Sequence, residues 1–186
     1  MVIISWWFIL DCWFICGVKM IFSRAIKQTF KNEGITFTND PKDMGGETVI
    51  GITKKNFPEY FHRVFNLLKS GSVESAKIIA EEFYKEYFWN KMYQSLDEKL
   101  AIKLFDVGVN IGVKRSVRVL QETLQKFGKD VESDGIFGQI TLAACNSIKH
   151  QPSLYSRYIF ELSQYYFSLN QPRFLNGWLN RLYLSD

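Results

Sequence analysis

Apolar residues recur at helical spacing along most of the chain. Phe22, Ile26 and Phe30 lie four residues apart with basic residues between them, which predicts an amphipathic helix that ends near Glu33. Ser72 is placed to cap a second helix. This and later helices are predicted over residues 73–91, 97–111, 113–127, 139–148 and 153–169.

Residues 34–53 break the helical pattern. Asn39-Asp40-Pro41 and Gly45-Gly46 are turn-forming sequences, and the β-branched run 48–50 favours a strand. We therefore predict a loop with one small β-hairpin. The expected fold class is mainly α, an α+β arrangement in which the β part is this hairpin alone.

The first nineteen residues differ from the rest. Only Ser5, Asp11 and Gly17 interrupt the apolar run of residues 2–18. As a helix this run would span about 25 Å, which is short for a bilayer, and Asp11 would be costly in lipid. Three interpretations stay open: a segment outside a functional protein that begins at Met20, a membrane anchor or uncleaved export signal, or a helix packed onto the domain.

The composition is that of a globular protein. The chain has 186 residues, of which 47% are apolar and 23% charged, with three cysteines. These values exclude a disordered chain, a collagen-like repeat and a disulfide-stapled mini-protein. His62 and His150 stand alone, so we expect no metal and no cofactor. The net charge of +4 suits an anionic polymer, and no basic stripe of a nucleic-acid fold accompanies it, so we expect no nucleic-acid partner.

Glu33 is the last strong helix former before a glycine, and the loop after it carries Asp40, Asp43 and Thr48. Cleaving a glycosidic bond needs a protonated carboxylic acid and a second group on the other face of the sugar. The negative end of a helix dipole and apolar neighbours both favour a protonated carboxyl. Gly46 would let the backbone approach a sugar closely. From spacing alone, a plain helix end followed by a loop is the more common explanation.

The run of residues 32–53 resembles the signature of the family 108 glycoside hydrolases, whose pattern is close to E-G-G-Y-x-x-D-P-x-D-x-G-G-x-T-x-x-G-I-T. These are N-acetylmuramidases found among phage endolysins and bacterial secretion-associated lysozymes. Three later segments also resemble the family, so the resemblance covers roughly residues 20–184. The three later segments are residues 84–89, 104–112 and 174–181.

The resemblance implies a lysozyme-like helical domain in which Glu33 acts as the acid on the bond between N-acetylmuramic acid and N-acetylglucosamine. It implies that Asp40 or Thr48 positions water and sugar, as in the similar Glu, Asp, Thr arrangement of phage T4-type lysozymes. Asp43 and Gly46 are then expected to contact the substrate.

Two positions depart from the family pattern. Ile35 stands where the family has a second glycine, so the turn after Glu33 must either differ from the family's turn or carry strain. Thr36 stands at the family's aromatic position, and Phe37 would take over its packing with a one-residue shift.

Residues 117–145 resemble a peptidoglycan-binding helical module, with its L-Q-x-x-L helix and D-G-x-F-G turn. Asp134 and Gly135 are expected to form the tight turn, with direct contact to glycan as the alternative. Because no long polar linker separates the parts, we predict an integrated arrangement. Its parts are a leader at residues 1–19, a lysozyme-like catalytic region at 20–112 and a peptidoglycan-binding-like region at 113–186.

Asp106 and Asn110 lie four residues apart and would share one helix face. They could line a groove and bind an N-acetyl sugar, or they could form a buried, hydrogen-bonded polar pair. Arg157 and Arg181 are expected to be structural and to pair with helix ends.

The sequence thus predicts a peptidoglycan hydrolase whose partner is the glycan strand. We expect a monomer in the bacterial cell envelope or periplasm, with membrane association through residues 2–18 as a further prediction. Two alternatives stay open: a non-catalytic peptidoglycan-binding protein whose site is damaged by Ile35, and a lytic transglycosylase on the same scaffold, which needs only one acid.

Overall fold

The structure, a computed structural model, describes residues 21–39 and 46–183. Within them it contains eight α-helices, one 3-10 helix and three short strands, which confirms the mainly α fold class. The predicted leader and two of the proposed site residues, Asp40 and Asp43, lie outside the described residues. Among the described residues, no helix is both long enough and apolar enough to cross a membrane.

The contacts divide the chain into two compact units. Ile26–Trp89 forms one, here called the hairpin unit. The other, the helical unit, consists within the described residues of 21–25 and 90–183.

Helix α1 occupies residues 21–33 and ends at the predicted position. Gly34 adopts φ +74°, and its N–H donates to the carbonyl of Phe30 at 3.0 Å. Glycine takes this left-handed conformation at no steric cost, so Glu33 stands at the last helical residue before a sharp turn. The buried side chains of α1 recur at the spacing of one helix face: Ala25, Ile26, Thr29 and Phe30.

The sheet of the hairpin unit has three antiparallel strands in the order β1-β2-β3. They are β1 (Phe37–Asn39), β2 (Glu47–Val49) and β3 (Ile52–Thr53). β2 and β3 form the predicted hairpin. The extra strand β1 is placed by Phe37, whose ring contacts Phe65 with centroids 5.2 Å apart, so this aromatic does find a packing partner one position after the family's aromatic.

Helices α2 (Pro58–Lys69) and α3 (Val73–Tyr87) pack against each other and complete the hairpin unit. α2 was not predicted from the sequence, although Phe61, Val64 and Phe65 have helical spacing. α3 ends four residues earlier than predicted, and Ser72 occupies its N-cap position without a side-chain cap hydrogen bond.

The helical unit includes a short 3-10 helix, Lys91–Ser95. Its helices α4 to α7 begin and end within two residues of their predicted bounds, whereas α8 was not predicted as a helix. Buried Ser116 on α5 joins two neighbours, since its Oγ donates to the Leu104 carbonyl at 3.0 Å and lies 2.9 Å from Tyr158 Oη. The helices are α4 (Glu98–Ile111), α5 (Val113–Lys126), α6 (Gln139–Asn146), α7 (Gln151–Ser168) and α8 (Pro172–Tyr183).

Candidate active site

The turn after Glu33 is built without strain at Ile35. Gly34 takes the positive φ, and the only non-glycine residues with positive φ among those that the structure describes are Ile50 and Asn170. The sequence left two possibilities for this turn: a conformation that differs from the family's turn, or strain at Ile35. The expectation of strain at Ile35 is wrong. Glu33 itself is half-buried.

The two-residue turn between β2 and β3 carries the strain instead. Ile50 has φ +46° and Gly51 has φ +72°, and positive φ at both central residues is typical of a type I′ hairpin turn. For a β-branched residue this conformation costs about 1–3 kcal/mol. Ile50 is completely buried, so its side-chain packing holds the backbone there.

Gly51 brings this turn against the Glu33 carboxyl. A Cβ added at Gly51 would lie 2.3 Å from Tyr84 Oη, 3.0 Å from Glu33 Oε2 and 3.1 Å from Glu33 Cγ. Real Cβ atoms do not approach other atoms as closely as the first of these distances. The side chains of Glu33 and Tyr84 therefore occupy the space that any larger residue would need.

Tyr84 of α3 also contacts the turn that Ile50 and Gly51 form. Its side chain is buried, and its hydroxyl donates to the Ile50 carbonyl at 3.0 Å. Its ring packs edge-on against Phe30 of α1, with centroids 6.3 Å apart, and against Phe88 at 5.7 Å. The contact between α3 and the hairpin turn was not predicted from the sequence.

Thr48 lies at the centre of the sheet, opposite Thr38 on β1 and Thr53 on β3. Directly opposed residues of antiparallel strands project from the same face, so the three threonines form a row. Thr48 Oγ1 donates to the Gly46 carbonyl at 3.3 Å. The structure thus places two of the predicted site residues, Thr48 and Gly46, together on the hairpin that contacts Glu33.

Thr53 is a residue that the sequence analysis did not single out. Its Oγ1 is buried and has no hydrogen-bond partner among residues 21–39 and 46–183. Buried hydroxyls are usually hydrogen-bonded, so this one is suited to a bound water. In the sequence, Thr53 could have been recognised as the last residue of the run that resembles family 108.

Asp106 and Asn110 have protein partners within the helical unit. Asp106 is buried, and Arg181 donates to its Oδ1 from Nε at 3.0 Å. Asn110 Nδ2 donates to the hydroxyl of Tyr166 at 2.9 Å. These contacts are those of the buried polar alternative, while a sugar-binding role for the two residues stays a prediction.

The two arginines take carboxylate partners. Arg181 binds Asp106, and Arg157 pairs with Glu161 at 2.7 Å, one turn along α7. The expectation that they would pair with helix ends is wrong for these contacts, because each guanidinium has a carboxylate within reach that offers a charged acceptor.

The predicted turn at Asp134 is organised by a buried glutamine. Gln121 Nε2 donates to Asp134 Oδ1 at 2.8 Å, and its Oε1 accepts from the N–H of Gly135 at 2.8 Å. The N–H of Ile136 also donates to Asp134 Oδ1 at 2.8 Å. This backbone hydrogen bond and that from Gln121 lower the pKa of Asp134. The turn is therefore held by its own hydrogen bonds.

Among the described residues, no three His, Cys, Asp or Glu side chains gather into a group that could hold a metal ion. The candidate site consists instead of a carboxyl at a helix end, a strained hairpin turn, threonine hydroxyls and a buried tyrosine.

Comparison with known proteins identifies both parts of the chain. Residues 26–112 match the family model described as Glycosyl hydrolase 108, and residues 115–183 match that described as Predicted Peptidoglycan domain. Among solved structures, SagA of Brucella abortus is similar, with 25% identity and a TM-score of 0.70 over 90% of this chain and 92% of that chain. No curated protein matches the chain. The protein is therefore a glycoside hydrolase of lysozyme-like fold that carries a family 108 domain followed by a peptidoglycan domain.

Proposed function

We propose that the protein is an N-acetylmuramidase, which hydrolyses the bond between N-acetylmuramic acid and N-acetylglucosamine with Glu33 as general acid. A glycosyl hydrolase domain and a peptidoglycan domain in one chain make it a peptidoglycan hydrolase. The observation that carries the specific role of Glu33 is its contact with Gly51, which holds a half-buried carboxyl beside the hairpin.

In the proposed reaction, Glu33 donates its proton to the glycosidic oxygen as the bond to the muramic acid C1 breaks. A water molecule attacks C1 and becomes the new hydroxyl of the reducing end, and the proton that it releases restores the Glu33 carboxyl through solvent. Thr48 and Asp40 are proposed to position this water and the sugar.

Sugar contacts are proposed for Asp43 and Gly46, which lie in the connection between β1 and β2. Gly46 has φ +64°, and among residues 21–39 and 46–183 a Cβ there would have no neighbour within 4 Å, which supports a backbone contact with the sugar. For Asp106 and Asn110, the hydrogen bonds to Arg181 and Tyr166 support the structural alternative instead.

Peptidoglycan places the reaction in the cell envelope. Within that setting we propose a monomeric enzyme of the envelope or periplasm, divided as the sequence predicts into regions 20–112 and 113–186. Attachment to the membrane through residues 2–18 stays part of the proposal, as one of the three interpretations of that segment.

Replacing Glu33 with Gln tests the proposed acid. The amide keeps the size of the side chain but cannot donate the catalytic proton, so release of reducing sugar from purified peptidoglycan should fall by about 100-fold or more. Glu81→Gln, an exposed change on α3 of the same unit, is the matched control and should retain full activity. An E33Q enzyme as active as this control would overturn the assignment.

The two alternatives to a muramidase are a non-catalytic binding protein and a lytic transglycosylase. A non-catalytic binding protein would require that strain at Ile35 damages the site. Gly34 takes the positive φ of this turn, so Ile35 does not carry that strain. A lytic transglycosylase differs in its product, because its sugar chain ends in an anhydro sugar where hydrolysis leaves reducing N-acetylmuramic acid.

A further inference from the structure

The peptidoglycan domain exposes two isoleucines beside the turn at Asp134. Ile136 in the turn is 67% exposed, and Ile140 at the start of α6 is 73% exposed. These are the highest values among the large apolar side chains that the structure describes. Burial of an aliphatic side chain stabilises a fold, and these two side chains contribute little of that kind. They are therefore available to contact a ligand.

A single buried side chain holds the backbone around these isoleucines. Gln121 of α5 donates from Nε2 to the Ile136 carbonyl at 3.1 Å and to Oγ1 of Thr141, the neighbour of Ile140, at 3.2 Å. Gln121 is 2% exposed, and its Oε1 accepts from the N–H of Gly135 at 2.8 Å. A segment that is already ordered loses less conformational entropy when it binds a ligand, so both isoleucines are presented in a preorganised form.

The first half of α5 adds positive charge beside the same turn. Residues 113–121 contain three basic side chains and no acidic one: Lys114, Arg115 and Arg118. Arg118 Nε donates to the Ser133 carbonyl at 3.1 Å, which places its guanidinium next to the turn. In the part of the chain that the structure describes, none of the three forms a salt bridge. Their charge is therefore available to an anion.

The acidic residues before the turn lie toward the other end of α5. Gln125 Nε2 donates to the Val131 carbonyl at 2.8 Å, and Gln125 is eleven residues, or about 16 Å, from Lys114 along the helix. The acidic residues that flank Val131 are Asp130 and Glu132. Asp134 lies in the turn itself, but its Oδ1 already accepts from Gln121 and from the Ile136 N–H, each at 2.8 Å. The turn thus has three cations and one hydrogen-bonded carboxylate beside it.

We propose that this surface, formed by Lys114, Arg118, Ile136 and Ile140 and here called the α5–turn surface, binds the peptide stem of peptidoglycan. A stem combines alanine methyl groups with free carboxylates, which complement aliphatic side chains and cations. The N-acetyl sugars carry no charge once a stem is attached to the muramic acid, so they would leave the cations without a partner. The proposal rests on the proposed function, because that function makes peptidoglycan the substrate, but it does not depend on the role of Glu33.

The test is a titration of the full chain with the stem tetrapeptide L-alanyl-γ-D-glutamyl-meso-diaminopimelyl-D-alanine, followed by NMR of the isoleucine δ1 methyl groups. The signals of Ile136 and Ile140 should shift and saturate. Ile78, 58% exposed on α3, is the internal control and should not shift. The uncharged sugar N,N′-diacetylchitobiose should leave the Ile136 and Ile140 signals in place. Absence of a shift with the tetrapeptide, or equal shifts with the sugar, would overturn the proposal.

Substitutions at the α5–turn surface measure what each part contributes. Lys114→Gln should raise the dissociation constant of the tetrapeptide about threefold, and the double substitution of Ile136 and Ile140 by Ser should raise it about tenfold. These side chains are exposed, so the urea midpoints of the variants should stay close to that of the unaltered enzyme. The matched controls, at exposed positions away from the surface, are Lys99→Gln on α4 and Ile78→Ser on α3.

Both controls should bind the tetrapeptide as the unaltered enzyme does. Dissociation constants that are the same for the surface variants and their controls would overturn the proposed peptide site. Full activity of Glu33→Gln would instead overturn the proposed function and would leave tetrapeptide binding unaffected, so the two failures are distinguishable.

Discussion

At the scale of single residues, the site depends on where the chain adopts positive φ. Gly34 and Gly51 do so at no steric cost, and Ile50 does so against the preference of a β-branched side chain. The cost at Ile50 is offset by complete burial of its side chain and by the hydrogen bond from Tyr84. Strain therefore lies at the turn that contacts Glu33, where it helps to set the position of the carboxyl.

Gly51→Ala should damage both stability and activity. The new Cβ would meet Tyr84 Oη at 2.3 Å and Glu33 Oε2 at 3.0 Å, and the residue would keep a φ of +72°. We expect a loss of at least about 2 kcal/mol in the free energy of unfolding, measured with urea, and a loss of kcat in the folded fraction.

Gly71→Ala is the control for backbone strain alone. Gly71 has φ +79° in the same unit, and a Cβ there would meet nothing within 4 Å in the part of the chain that the structure describes. It should lose about 1 kcal/mol and keep its activity. Equal effects of the two substitutions on kcat would show that the contact at Gly51 has no role in the site.

At the scale of secondary-structure elements, α8 is joined to α4 by buried charges. Arg181 binds Asp106, whose side chain is 3% exposed, and Lys103 Nζ donates to the carbonyl of Leu182 at 3.0 Å. These bonds pair one oxygen of a buried carboxylate, Asp106 Oδ1, with a guanidinium and one C-terminal helix carbonyl with an ammonium. They hold the last helix of the peptidoglycan domain in place.

Arg181→Ala should destabilise the fold by about 3–5 kcal/mol, because it leaves the Asp106 carboxylate buried without this arginine. Arg157→Ala breaks an exposed pair within one helix and should cost about 0.5 kcal/mol. Thermal or urea unfolding of both variants measures the difference. A loss for Arg181→Ala no larger than that for Arg157→Ala would contradict the structural role of the buried pair.

The turn before α6 predicts a pH dependence. Hydrogen bonds from the Ile136 N–H and from Gln121 lower the pKa of Asp134 below that of the unfolded chain, so its ionised form adds stability above the unfolded value, about 3.9. This contribution is lost as the pH falls through the folded-state pKa. Asp134→Asn keeps the acceptor oxygen but has no charge to lose.

Urea unfolding of the wild type and of Asp134→Asn at pH 6 and pH 2.5 measures this effect. The wild type should be the more stable protein at pH 6, and its advantage should shrink at pH 2.5. An advantage that is the same at both pH values would show that ionisation of Asp134 is not what stabilises the turn.

The elements differ in how far the sequence predicts them. Helices α4 to α7 have regular apolar spacing, and Asp97 caps α4 by accepting from the N–H of Leu100 at 3.2 Å. α2 begins after Phe57, which offers no side-chain cap. α8 begins at Pro172 and has Gly177 near its middle, and both residue types are more typical of loops than of helix interiors. The apolar residues of α2 and α8 do have helical spacing, so these two helices were obscured by proline, by glycine and by the lack of a capping side chain.

The candidate site was predictable in part. Glu33 and Thr48 follow from one continuous run of residues, because local turn chemistry and a family pattern both act over short separations. Tyr84 is far from this run in sequence, and its contact with Gly51 depends on how α3 packs against the hairpin. Only the folded structure shows that contact.

At the scale of the whole molecule, a hydrolase domain and a peptidoglycan domain follow one another in a single chain. A net charge of +4 would aid contact with an anionic wall polymer. The first family match begins at residue 26 and the second at residue 115, so the apolar leader contributes nothing to either match. The proposed acid, Glu33, lies in the hairpin unit and within the residues that match the family 108 model.

Mass spectrometry of the products from purified peptidoglycan tests the central claim most directly. The unaltered enzyme should release fragments that end in reducing N-acetylmuramic acid, and Glu33→Gln should release almost none. Fragments that end in an anhydro sugar, or the same reducing fragments from the Glu33→Gln enzyme in undiminished amount, would contradict the account of Glu33 as the acid of a hydrolytic muramidase.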